Sequence, residues 1–247
     1  MKIVDKVAVV SGGGSGIGKA TVLALAERGA RVVVADIDEV SGSQIVDQVL
    51  GAGGTAICVR CDVTRTKDLV HTFTIAVEQF ERLDIVFNNA RIGGEDLFAD
   101  ESGDWARIID IDLTAVIDAT RIAVRLMKQA NQGGVIINTA SLIGLWPMAS
   151  APVYAAAKAG VVNFSRSLAY LKDESHIRVN AICPELVDTA MALGGLGEAQ
   201  LQELRSLGNI LRPEDIAAGV LKLIEDDTRA GAIMSITVTD GRAYVTG

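Results

Sequence analysis

The constraint that most narrows the fold of this chain is its alternation. Short apolar runs rich in β-branched residues recur from end to end, and segments with helical spacing fill the gaps between them. "KVAVVSG" (6–12), "RVVVADI" (31–37), "TAICVRCDV" (55–63), "LDIVFNNA" (83–90), "GVIINTAS" (134–141), "RVNAICP" (178–184) and "AIMSITVTDG" (232–241) read as strands bounded by Gly, Asp, Asn or Pro. Residues 17–28, 66–81, 104–129 and 150–172 are among the helical segments. Strands joined by crossovers of that length pair in parallel. The expected fold is therefore α/β: a doubly wound, seven-stranded parallel sheet with helices on both faces. No Pro/Ser-rich linker or repeat divides the 247 residues, so one domain over 1–247 is expected. Hydrophobic residues make up 49% and aromatics only 4%. The core must then be built from Val, Ile, Leu and Ala, as buried parallel sheets are.

The net charge of −8 and the lack of a basic cluster argue against nucleic acid or an anionic membrane as partner. No apolar run reaches the ~18 residues of a membrane span. The N-terminus reads as a strand rather than a signal peptide, and a cytoplasmic location is expected. Cys58 and Cys61 form a lone C-x-x-C inside a strand, with only two His in the chain. They are expected to pack, and no metal is expected.

"SGGGSGIGKA" (11–20) joins the first strand to the first helix. Its spacing is G-x-x-x-G-x-G, with Gly12, Gly16 and Gly18, and Ile17 stands where a strict G-x-G-x-x-G has its last glycine. Glycines let a backbone turn tightly and approach a pyrophosphate at a helix N-terminus. Asp36 ends the second strand 20 residues after Gly16. A carboxylate there binds both ribose hydroxyls and repels a 2′-phosphate. Position 37 is Ile and position 15 is Ser, so no neighbour in sequence offsets that repulsion, and NAD is expected over NADP. Asp62 ends the third strand in the same way, where it can meet an adenine amino group.

"PVYAAAKAGV" (152–161) places Tyr154 and Lys158 one helical turn apart on one face. A phenol has a pKa of about 10, too high for a base at neutral pH. A neighbouring ammonium stabilises the phenolate. Ser141 ends the fifth strand 13 residues before Tyr154, where its hydroxyl can bind a substrate oxygen.

Taken together, "SGGGSGIG", "CDV", "NNA", "INTAS", "YAAAK" and "ICPELVDT" resemble the short-chain dehydrogenase/reductase family over essentially the whole chain. The second half looks most like its hydroxyprostaglandin dehydrogenase branch, through "PVYAAAKAGVVNFSRS", "RVNAICP" and "LIEDDTRAGAIMSIT". The resemblance implies a Rossmann-type fold and hydride transfer between NAD(H) and an alcohol or ketone. Tyr154 would be the acid/base and Ser141 would orient the substrate oxygen. Lys158 would bind the nicotinamide ribose and lower the Tyr154 pKa. Gly12, Ser15, Gly16, Ile17, Gly18, Asp36, Asp62 and Val63 would bind the adenosine and pyrophosphate side. Asn89 and Ala90 would line the cofactor near its riboses, and Pro184, Val187 and Thr189 would hold the nicotinamide carboxamide. A homodimer or homotetramer is implied, with small residues Ala155, Ala156, Ala159 and Gly160 permitting close helix approach.

Three positions depart from the family pattern. Asp112 stands where Asn is usual; that Asn holds a water in a proton relay to the Lys, largely through its backbone carbonyl. Asp112 can keep the backbone contact, but its carboxylate would offset part of the Lys158 charge. Arg91 and Glu185 stand where Gly is usual. They either pair as a salt bridge across the pocket, or Arg91 recognises an anionic substrate group, or both point to solvent. These departures motivate an alternative reading, a nucleotide-binding homologue with weak or lost catalysis.

The substrate pocket is expected to be lined by Leu142, Leu145, Trp146, Met148, Met191 and Leu193, which suits an apolar or aromatic secondary alcohol or its ketone. Some of these can instead be core or subunit-contact residues. The glycine-bearing segment 185–209 is expected to be a substrate lid, or else an ordinary helical hairpin.

Overall fold

The computed structural model describes residues 1–93, 97, 103–191 and 196–245. Eight strands form one sheet in the order β3-β2-β1-β4-β5-β6-β7-β8. They are β1 (Val7–Ser11), β2 (Arg31–Asp36), β3 (Thr55–Arg60), β4 (Ile85–Asn88), β5 (Gly134–Thr139), β6 (Ile177–Pro184), β7 (Ile233–Thr237) and β8 (Gly241–Tyr244). The first seven run parallel, as expected from the sequence. The eighth is an addition. The segment read as one strand over 232–241 ends at Thr237, turns back, and pairs antiparallel with itself, Thr237 opposite Gly241. Gly241 has φ +64°, a conformation glycine adopts without a Cβ clash.

Alternate residues along each strand face opposite sides of the sheet. Val10, Val32, Val34, Phe87, Ile137 and Ile182 pack on one side with Leu25 of α1 (Gly16–Glu27) and Val220 of α9 (Pro213–Glu225). Val9, Val33, Val86, Ile136 and Val179 pack on the other with Phe73 of α3 (Thr66–Phe80) and Met127 of α5 (Ala115–Ala130). Both faces are covered, which is why the strands read as unbroken apolar runs.

The remaining helices are α2 (Glu39–Gly51), α4 (Trp105–Ile109), α6 (Pro152–Ser167), α7 (Leu171–Ser175) and α8 (Glu198–Ser206). The helix expected over 104–129 is α4 and α5 joined by one π turn, Asp110–Thr114. A π turn widens the helix by one residue and re-aims its side chains. Asp112 and Leu113 lie on it. Leu113 packs where a side chain on Gly160 of α6 would stand, 2.9 Å from an added Cβ. The smallness of Gly160 therefore serves a contact within the chain.

From β1 the chain winds outward through β2 and β3, then returns to place β4 on the other side of β1. That reversal opens a crevice outside the carboxyl ends of β1 and β4. Gly12 and Asn89 border it, one after each strand.

Candidate active site

The crevice begins with the glycine turn. Gly12 and Gly16 have φ +61° and +48°, the left-handed region that a side chain disfavours. Gly18 sits so close to the turn that a Cβ there would lie 1.9 Å from the Gly12 carbonyl oxygen. The Ser15 side chain makes no capping hydrogen bond among the described residues. The first N–H groups of α1 thus face the crevice without a side-chain acceptor. A turn stripped of side chains, over free helix-end donors, fits a pyrophosphate.

Two side chains brace this turn. The Ser11 hydroxyl accepts from the N–H groups of Asn89 (3.0 Å) and Ala90 (3.2 Å). Asn89 Nδ2 donates to the carbonyls of Ser11 (3.1 Å) and Gly12 (3.2 Å). Asn89 and Ala90 therefore line the cleft above Gly12, Ser15, Gly16 and Ile17 while tying β1 to β4. Ser11 was not singled out by sequence reasoning, because a strand-end serine carries no signal of what its hydroxyl accepts.

Asp36 stands at the end of β2. Its Oδ2 accepts from Gly14 N (2.8 Å) and its Oδ1 from Asp38 N (3.0 Å). Each oxygen keeps a second lone pair for a ligand hydroxyl. Arg60 of β3 is the register partner of Asp36, a basic neighbour that sequence adjacency did not reveal. Asp62 and Val63 follow β3, and Thr64 donates to Asp62 Oδ1 through its hydroxyl (2.7 Å) and N–H (3.1 Å). Those donors hold the Asp62 carboxyl below its ordinary value against partial burial.

Beyond the turn the crevice deepens into a cavity of about 820 Å³. Ser141, Tyr154, Pro184, Val187 and Thr189 line it, as do Leu142, Met148 and Met191. Ile143, Ala151, Leu186 and Leu196 complete much of its apolar wall and were not foreseen. Two residues expected here are elsewhere. Trp146 is 70% exposed and is not among the lining residues, because the chain leaves the 3₁₀ turn Leu142–Gly144 heading outward. Leu145 is not a lining residue either and packs against the buried cluster that holds Val161 and Cys183. Leu193 and the glycines at 194 and 195 lie outside the described residues.

Tyr154 and Lys158 rise from the buried face of α6. Lys158 is fully buried, and its Nζ donates to the Thr139 carbonyl where β5 ends, 3.0 Å away. The 3₁₀ turn presses on this helix: a Cβ on Gly144 would meet the Lys158 carbonyl at 2.7 Å. Lys158 Nζ also lies 5.5 Å from the centre of the Tyr154 ring. Asp112 is wholly buried, with Oδ2 3.9 Å from Lys158 Nζ. Its Oδ1 accepts from Ile92 N at 3.0 Å, while Oδ2 has no hydrogen-bond partner among the described residues.

Burial dominates these titrations. It pushes the Tyr154 phenol up to about 12, against the pull of Arg91 and with the push of Asp112. It pushes Lys158 down to about 8, against the pull of Asp112. It raises the Asp112 carboxyl, which Lys158 and the Ile92 N–H oppose. For Lys158 the sign is definite. Between pH 8 and its ordinary 10.5 the unfolded chain holds a proton that the folded chain has lost, so this group makes stability rise with pH across that window.

Arg91 and Glu185 do not pair. Glu185 Oε2 accepts from Val238 N (2.9 Å) and fastens the β7–β8 turn, so it is neither a bridge partner nor idle. Arg91 lines the cavity with Tyr154, and its Nη1 reaches Asn89 Oδ1 at 3.5 Å. Its burial lowers the guanidinium pKa, opposed by Tyr154 and Asp112. Arg91 thus points inward, unlike a solvent-facing surface charge.

A sequence model of the family described as short chain dehydrogenase matches residues 6–195. The chain belongs to the short chain dehydrogenase family. It is 37% identical to the mouse (Mus musculus) 15-hydroxyprostaglandin dehydrogenase [NAD(+)], with 98% of this chain and 93% of that protein covered. It is 35% identical to the cyclohexanol dehydrogenase of Acinetobacter sp. (strain SE19), covering 92% and 90%. The crystal structure of levodione reductase superimposes with a TM-score of 0.87 at 26% identity, covering 95% of this chain and 97% of that one. Among the described residues, no three His, Cys, Asp or Glu side chains are grouped to hold a metal ion.

Ser11 supplies the acceptor for two N–H groups in the cleft wall. Ser11→Ala is expected to cost about 1–3 kcal/mol in urea unfolding, because both donors lose that partner. A variant as stable as the parent would show that water replaces the hydroxyl freely.

Proposed function

We propose that this protein oxidises apolar or aromatic secondary alcohols, or reduces the matching ketones, with NAD(H) and with Tyr154 as acid/base. The observation that carries the reading is that Ser141 and Tyr154 line the cavity beside the glycine turn, with the Lys158 ammonium buried behind them 5.5 Å from the centre of the Tyr154 ring. An NAD-dependent dehydrogenase needs these groups together, whereas a binding subunit without catalysis does not. The mouse relative is named as NAD-dependent, and the Acinetobacter relative by the secondary alcohol cyclohexanol.

NAD, when bound, supplies the hydride acceptor and a positively charged ring. Gly12, Ser15, Gly16, Ile17 and Gly18 present backbone N–H groups to its pyrophosphate. Asp36 takes the adenosine ribose hydroxyls, and Asp62 and Val63 flank the adenine. Asn89, Ala90 and Lys158 serve the riboses, while Pro184, Val187 and Thr189 hold the carboxamide. Ser141 donates to the substrate oxygen and Tyr154 Oη takes its proton during oxidation. Lys158, held by Thr139, stays close enough to the ring to stabilise the phenolate. Asp112 fixes Lys158 and withdraws part of its effect. Leu142 and Met191 give the substrate an apolar wall.

Residues 185–209 act as a lid on the one domain 1–247. Leu186, Met191 and Leu196 face the cavity, and a bidentate Arg205–Asp188 pair (2.8 Å twice) holds the segment at its base. The protein works in the cytoplasm, a reading supported by three free thiols. It assembles as a homodimer or homotetramer, for which the exposed small residues Ala156 and Ala159 leave a close-packing face.

Tyr154→Phe is expected to lower kcat for alcohol oxidation by roughly 100-fold or more while NADH still binds. Unchanged turnover in that variant would remove Tyr154 from the chemistry. The parent is expected to favour NAD over NADP by at least roughly tenfold, and Asp36→Ala to narrow that ratio. Equal use of both by the parent would refute the role of Asp36.

A further inference from the structure

Accepting Tyr154 as the acid/base, an account of its ionisation must include every charge around it. Lys158 approaches from its own helix, with Nζ 5.5 Å from the ring centre. Asp112 approaches from the π turn and Arg91 from the segment after β4, and both act on the phenol electrostatically. Ser141, after β5, faces it with a hydroxyl, and Cys183 of β6 lies behind as a buried thiol held neutral by its surroundings. Glu185, after β6, spends its carboxylate on Val238 N. Among the described residues, the charged groups that count are therefore two cations and one carboxylate.

Lys158 and Asp112 face each other at 3.9 Å with no solvent around either. Seen from the phenol, the carboxylate takes back part of the ammonium's pull. Arg91 adds a second positive field. Its side chain lines the same cavity wall as Tyr154, and its only polar contact among the described residues is the neutral amide oxygen of Asn89 at 3.5 Å. No described carboxylate stands within ion-pair distance of it to cancel its charge in turn.

We infer that Arg91 supplies the net positive charge that lets Tyr154 ionise, because the Lys158 ammonium is already opposed by the Asp112 carboxylate. Arg91 is a positioning residue by this account, since it acts through Tyr154. Arg91 and Asp112 then form a balanced pair of opposite effect, and removing both leaves the net charge around Tyr154 unchanged. This balance also favours a neutral substrate: a bound carboxylate at Arg91 would cancel the charge the phenolate needs.

The test uses the full chain in four forms: the parent, Arg91→Gln, Arg91→Lys, and Arg91→Gln with Asp112→Asn. Tyrosine labelled at Cζ reports Tyr154 ionisation by NMR without any cofactor, with Tyr154→Phe identifying the signal. The pH dependence of kcat/KM for NAD-linked oxidation of an uncharged secondary alcohol is measured beside it. Arg91→Gln is expected to move both titrations up by about one pH unit or more. Arg91→Lys is expected to keep them near the parent, and the double variant to bring them back. An unmoved titration in Arg91→Gln, or a double variant shifted as far as Arg91→Gln alone, would overturn the inference. So would a change confined to KM for carboxylate-bearing alcohols, which would make Arg91 a substrate clamp. If no alcohol is turned over, the proposed activity fails, while the NMR titration still decides the role of Arg91.

Discussion

The Lys158 ammonium is buried where β5 stops, and its one direct hydrogen bond among the described residues is to a backbone carbonyl. A charge in that position is costly unless the surroundings answer it. The chain answers with the Thr139 carbonyl, the Asp112 carboxylate and a π turn that delivers Asp112 to the right place. Leu113 on the same turn fills the space left by Gly160, and Gly144 lets the 3₁₀ turn close on the other side of α6. The geometry of Tyr154 and Ser141 follows from this packing. Removing the lysine would leave a buried carboxylate and a carbonyl without their cation.

The sheet makes such a site possible. Its two faces are occupied by helices, so its carboxyl edge is where ordered loops meet a ligand. There the Gly18–Gly12 contact and the Ser11–Asn89 bonds bring a helix N-terminus and the β4 loop against one crevice. Cofactor end and chemical end are thus set by the same strand ends. Membership of the short chain dehydrogenase family agrees with this arrangement across both halves of the chain.

Much of this was legible in the sequence because it rests on local rules. Apolar runs flanked by glycine and asparagine marked the seven parallel strands. The spacing of Gly12, Gly16, Gly18 and Asp36 marked the nucleotide turn, and one helical turn joined Tyr154 to Lys158. What escaped depends on direction rather than pattern. A strand that reverses at Gly241 reads like one that runs on. A π turn inside 105–130 leaves the apolar periodicity nearly intact, yet it decides where Asp112 points. Arg91 turned inward, Trp146 outward and Glu185 to a backbone N–H, and no spacing rule separates those outcomes. Arg60 became a neighbour of Asp36 only through strand register.

The arrangement of the whole site depends most directly on the state of Lys158. Lysine labelled beside its amine would report each ammonium by NMR as pH is raised, with Lys158→Met identifying the signal. One lysine titrating near pH 8, well below the ordinary value of 10.5, is the expected result. A Lys158 signal titrating with the surface lysines would contradict it, because it would mean that the loss of water around the ammonium does not outweigh the carboxylate that faces it.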